Sequence, residues 1–143
     1  MIEDLIGGLL GGAIGTGLYE RLRRRRLARA EAAGKSLEFP GSVLGPTRYC
    51  HPAGGLLRVE GTTLTWLTGK GGMSFAVPAE RLDVRGLAAV PRSESFSSGT
   101  TVAVICDDAG ATVRILVLRA DLPYLARALP GVEGLSEPAP ARA

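Results

Sequence analysis

Residues 5–18 read Leu-Ile-Gly-Gly-Leu-Leu-Gly-Gly-Ala-Ile-Gly-Thr-Gly-Leu, an uncharged stretch followed at once by Arg21, Arg23, Arg24, Arg25, Arg26 and Arg29. No other feature limits the chain so strongly. Each interior glycine costs a water-exposed helix about 1 kcal/mol relative to alanine, so this stretch favours a helix only where something other than water surrounds it. The order of charges is wrong for a cleaved secretory signal, because the acids Glu3 and Asp4 come first and the arginines come last. It suits an anchor whose basic flank stays on the cytoplasmic side.

Length argues the other way. A helix over residues 5–18 rises roughly 21 Å, short of the ~30 Å hydrocarbon core. Three placements are open: a short span assisted by Arg21 reaching back along its stem, a tilted helix on the membrane surface, and a helix buried in a soluble protein. At 100° per residue, Gly7, Gly8, Gly11, Gly12 and Gly15 fall within an arc of about 140°, with Leu5, Ile6, Leu9, Leu10, Ala13 and Thr16 on the rest of the wheel. Such small-xxx-small spacing lets two helix backbones approach closely, and self-association through the glycine face is the expectation.

Charge divides the chain. Residues 1–35 hold seven cations and four acids, which accounts for the whole net charge of +3, while residues 36–143 hold ten of each. The later part therefore has no single-sign field for phosphates, and a nucleic-acid partner is not expected. The arginine run faces every side of its helix and reads as a contact to the anionic inner leaflet, as a topology signal, or as both. Gly34 is a helix stop, and residues 35–42 read as a linker because Pro40 interrupts them.

From residue 43 the pattern alternates. Residues 56–60 and 63–68 read as a hairpin around Gly61-Thr62, with Trp66 on its second strand. Residues 73–77 and 81–87 follow as strands, separated by Pro78. A serine-rich loop at 91–99 leads to two apolar strands, 100–106 and 112–118, joined by a turn at Asp107-Asp108-Ala109-Gly110. Asp121 is the expected cap of a final helix over 122–129, with Leu122, Leu125, Ala126 and Leu129 on one face. Residues 131–143 read as a disordered tail.

Six to seven antiparallel strands in a partly open barrel, closed by a C-terminal helix, resemble the pleckstrin-homology-like fold in its GRAM-like and bacterial variants. The resemblance covers residues 43–130 and is carried by the hairpin with Trp66, by Phe75-Ala76-Val77-Pro78 leading into Arg81-Leu82-Asp83-Val84, and by the terminal strand–helix unit. The whole layout also resembles an actinobacterial family that pairs one N-terminal membrane helix and a basic flank with such a domain in residues 1–34 and 43–130. The resemblance implies a single-pass protein of the cell membrane, its domain in the cytoplasm, binding a protein or peptide partner without enzyme activity. Lipid-binding members concentrate cations on the first hairpin; here only Arg48, Arg58 and Lys70 are available, a weak ligand face.

No catalytic set emerges. Cys50 and His51 are neighbours whose side chains would point apart on a strand, and His51 reads as a turn residue. Gly69-Lys70-Gly71-Gly72 lacks both the leading glycine, Leu64 standing in its place, and the trailing Ser or Thr of a phosphate loop. Asp107, Asp108 and Asp121 do not form a calcium loop. Ser93, Ser95, Ser97 and Ser98 have no base nearby. Cys50 and Cys106 read as reduced, buried thiols. No cofactor or metal is expected. Two alternatives remain, a soluble homo-oligomer packed through its N-terminal helix and a small enzyme subunit. Chemical crosslinking tests the glycine face: Gly11→Leu is expected to abolish a crosslinked oligomer seen with the unaltered chain.

Overall fold

The computed structural model describes residues 12–52, 54–68, 72–91 and 100–135, and of residues 12–20 the backbone alone. The chain divides into two compact units, Met1–Lys35 and Ser36–Ala143. In the first, helix α1 spans Gly12–Ala32 and runs unbroken through the arginines. Its end is set by Gly34 at φ 70°, where the amide of Lys35 donates to the Ala30 carbonyl and that of Gly34 to Glu31. That pair of bonds satisfies carbonyls a helix end would otherwise leave open. Gly7, Gly8 and Gly11 lie outside the described residues; Gly12 and Gly15 lie on α1.

The second unit is a seven-stranded antiparallel sheet curled into a half-barrel. Its strands are β1 (Leu37–Leu44), β2 (Gly55–Glu60), β3 (Thr63–Thr68), β4 (Ser74–Val77), β5 (Asp83–Ala89), β6 (Thr101–Asp108) and β7 (Ala111–Leu118), in the order β4-β3-β2-β1-β7-β6-β5. Strand β1 corrects the linker expected at 35–42. Pro40 did not exclude a strand because it falls where β1 has only β2 as a neighbour. Pairing to β2 runs over residues 37–41 and pairing to β7 begins at Gly41.

The concave face explains the alternation. Leu37, Phe39 and Val43 on β1, Leu57 and Val59 on β2, Leu64 and Trp66 on β3, Val102, Val104 and Cys106 on β6, and Val113, Ile115 and Val117 on β7 are all buried. Register places them side by side, as in Phe39↔Leu57↔Trp66↔Phe75 and Val43↔Ile115↔Val104↔Leu87. The unbroken apolar runs of β6 and β7 have a second cause. Their other face also buries side chains, in a cluster of Val90, Ala103 and Leu116 flanked by Leu44, Ala88 and Ile105.

The C-terminal segment closes the concave face with less helix than the sequence suggests. A 3-10 turn at Arg119–Asp121 leads into a single α-turn, α2 (Leu122–Leu125), and hydrogen-bonded turns continue to Leu129. Asp121 makes no side-chain cap bond, because the preceding 3-10 turn already gives it helical angles (φ −94°, ψ −4°) instead of the extended backbone of a cap. Leu125, Ala126 and Leu129 are buried, and the Tyr124 ring lies 6.4 Å from that of Phe39. A further 3-10 turn, Pro130–Val132, buries Val132, so the ordered chain runs past the point where the tail was expected to begin. The turn between β6 and β7 is also shorter than expected. Asp107 and Asp108 complete β6, and Ala109 (φ 51°) with Gly110 (φ 95°) forms the loop.

Gly55 sits opposite Thr68 so closely that a Cβ there would strike the backbone carbonyl of Leu67, whereas a Cβ on Gly86, at the register shift of β5, would meet nothing within 4 Å. Gly55→Ala is expected to destabilise the protein by about 1–3 kcal/mol, as overpacking does. Gly86→Ala is expected to be neutral or slightly stabilising. Urea unfolding of the two variants checks both outcomes.

Candidate functional site

Of the three expected cations, Arg58 and Arg48 lie among the described residues. Arg58 stands directly across from Glu38 in the β1–β2 register, its Nε donating at 2.7 Å and its Nη2 at 2.6 Å to Glu38 Oε2. A guanidinium so engaged is a cross-strand pair that stabilises the sheet. Arg48 is exposed on the loop between β1 and β2. Lys70 lies outside the described residues. On α1, a 100° step places Arg25, Arg26 and Arg29 on one side with Leu22, while Arg21, Arg23 and Arg24 point elsewhere. Among the described residues no helix is long and apolar enough to cross a membrane. Half of the uncharged stretch, residues 5–11, lies outside them.

What the structure does assemble is a polar junction that spacing in the sequence could not announce. Tyr49 from the β1–β2 loop, Arg81 from the β4–β5 connection and Asp108 from the end of β6 meet. The Tyr49 hydroxyl donates to Asp108 Oδ2 at 2.7 Å, and Arg81 donates through Nε to Oδ1 at 2.8 Å and through Nη2 to Oδ2 at 3.1 Å. The Asp108 side chain is 5% exposed and that of Arg81 61%. A two-pronged bond to the guanidinium is what makes a carboxylate tolerable in such a place. The Arg81 guanidinium first, and the Tyr49 hydroxyl second, hold the Asp108 carboxyl below the usual carboxylate range. Burial, then the bond to Asp108, pushes the Tyr49 phenol up to about 12.

A second group is an aromatic row. His51, whose amide donates to the Val43 carbonyl, has its ring 6.1 Å from that of Trp66, and Trp66 stacks on Phe75 at 5.6 Å. Trp66 is fully buried, and its indole Nε1 finds no acceptor among the described residues. Cys50 Sγ lies 2.9 Å from Thr47 Oγ1 and is half-buried instead of buried. Cys106 is buried, and burial, with a smaller contribution from Asp83, pushes its thiol up to about 12. Both cysteines are free. Among the described residues no group of three or more His, Cys, Asp and Glu is placed to hold a metal. No protein-family model matches the chain, and no curated protein does either.

The third feature lies at the open side of the sheet. A cavity of about 470 Å³ is lined by Leu64, Val77, Ala79, Leu82, Ala128 and Pro130, with Thr62, Thr63 and Glu80 completing the wall. The sequence marked none of these as a site, because apolar residues that line a groove and apolar residues that fill a core look alike in a sequence.

The junction makes a pH prediction. Asp108 has a lower pKa folded than unfolded. Its contribution is therefore in full force above the ordinary carboxylate value of about 4 and is lost as pH falls below it. Asp108→Asn is expected to lower Tm at neutral pH and to flatten the fall of Tm between about pH 4 and pH 2. Ultraviolet titration is expected to show a phenol ionising near pH 12, absent in Tyr49→Phe.

Proposed function

We propose that this chain is a non-catalytic, membrane-tethered binding or scaffolding module of the pleckstrin-homology-like kind, its half-barrel facing the cytoplasm and serving a protein or peptide partner. The strand order supports this reading above all. Two antiparallel meanders, β1 to β4 and β5 to β7, are joined by a β1–β7 pair and left open between β4 and β5, with a helical turn over the concave face. That order is compatible with the partly open barrel the resemblance implies. The uncharged residues 5–18 and the arginines after them support the tether, with the cluster facing an anionic leaflet at about 1 kcal/mol per cation.

A second reading has its own support. Helix α1 carries its arginines on several sides. In that reading the N-terminal glycines pack copies of the chain together in water.

Fractionation of cells expressing the full-length chain separates the two. A tether keeps the protein in the membrane pellet through high salt and alkaline carbonate. Recovery in the supernatant as a species of several chain masses would sink the tether and leave the soluble assembly.

A further inference from the structure

Among the described residues the half-barrel has two edges that pair with no further strand, and they differ. On β5 the register shifts between Val84 and Gly86, and Asp83 and Arg85 form an ion pair at 3.1 Å along the strand. The turn at Pro130–Val132 lies against it, so close that a Cβ on Gly131 would come within 3.1 Å of Val84. A bulge, charges and a covering segment are the usual means by which a sheet edge is blunted. Among the described residues, strand β4 has none of them. Ser74-Phe75-Ala76-Val77 is uncharged and pairs in regular register with β3, and Ser74 and Ala76 are exposed.

The hydrogen-bond phase of β4 follows from one bond. The amide of Thr68 donates to the Met73 carbonyl at 2.9 Å, which makes Thr68–Met73 a bonded pair. Pairs in an antiparallel ladder alternate, so Trp66–Phe75 and Leu64–Val77 are bonded as well. The amides and carbonyls of Ser74 and Ala76 then point away from β3, where no described residue meets them. Along the side of β4 shared with Val77, apolar groups recur at every second residue: Val77 at the cavity wall, half-buried Phe75, and Met73 at 45% exposure. Glu80 lines the same cavity, and the neighbouring cation, Arg81, is committed to Asp108.

We infer that the β4 edge is a docking site for an extended peptide, added to the sheet as an eighth strand. Ser74 and Ala76 supply main-chain bonds; the cavity beside Val77 takes an apolar side chain, Phe75 and Met73 meet further apolar residues at alternate positions, and Glu80 selects a lysine or arginine next to the first. This form of recognition draws affinity from the backbone and specificity from alternate side chains. The inference rests on the binding-module reading and gives it a place and a partner class.

The test uses the full-length protein and a random twelve-residue displayed peptide library. Retained peptides are expected to carry alternating apolar residues with one cation. Ala76→Pro removes an outward amide and leaves the β3 bonds in place, so Tm should hold while peptide affinity falls at least about tenfold, the scale of one or two backbone hydrogen bonds. Glu80→Gln should weaken only the peptides that carry a cation. Should Ala76→Pro fold poorly, slowed amide exchange at Ser74 and Ala76 on adding peptide gives the same answer. Retention of no peptide, or protection confined to another surface, overturns the inference. So does a concentration-dependent dimer dissolved by Ala76→Pro, which would assign the edge to a second copy. Peptides that bind Ala76→Pro undiminished remove the β4 site and leave the module reading standing.

Discussion

Strand β1 is the member on which the half-barrel depends. Its first half pairs with β2 and its second half with β7, so one strand belongs to both meanders and holds them in a common curl. Gly41 stands at the changeover, paired with Gly55 on one side and Val117 on the other. A Cβ there would crowd the Leu57 side chain and come within 3.0 Å of the Leu116 carbonyl. Where two sheets must turn past each other, the absence of a side chain allows the backbones to approach. Without β1 the strands β2–β4 and β5–β7 would each expose an apolar face that neither can cover alone.

A shared strand fixes the two meanders along their common border and nowhere else. Among the described residues the far sides pair with no further strand, and the structure treats them unequally. Near the end of β1, Tyr49 reaches Asp108, and Asp108 holds Arg81 just before β5. That junction ties the β4–β5 crossover to the β1–β2 loop. The C-terminal turns then lay Leu125, Leu129 and Val132 over the concave face and press Gly131 onto Val84. One edge is thereby shielded, while β4 keeps its outward amides. Polar anchoring and apolar closure both act at the opening between β4 and β5, which is how a sheet stays curled without closing.

Much of the domain was legible from residue order because alternation follows directly from pleat geometry. The hairpin of β2 and β3 and the strands β6 and β7 stand close to where periodicity puts them. Strand β1 was not legible, since Pro40 punctuates it and no pattern reveals that a proline will fall where the strand has a single neighbour. The final helix was overestimated: Leu122, Leu125 and Leu129 keep their spacing as turns even when the α-helix stops after Leu125. The cations show the limit most clearly. Arg58 looks available in the sequence until register sets Glu38 opposite it.

By itself the sequence determined the chain's two-part character, with the entire net charge in residues 1–35, and the strand periods of the neutral part. Those properties are local: each depends on residues within a few positions of one another. Which strands became neighbours, which carboxylate met Arg81, and which edge was left bare were decided only by the tertiary structure. They arise from pairings between residues 20 to 70 or more positions apart, such as Glu38 with Arg58, Tyr49 with Asp108 and Val43 with Ile115. Contacts at that separation are set by the closing of the sheet, and no local pattern encodes them.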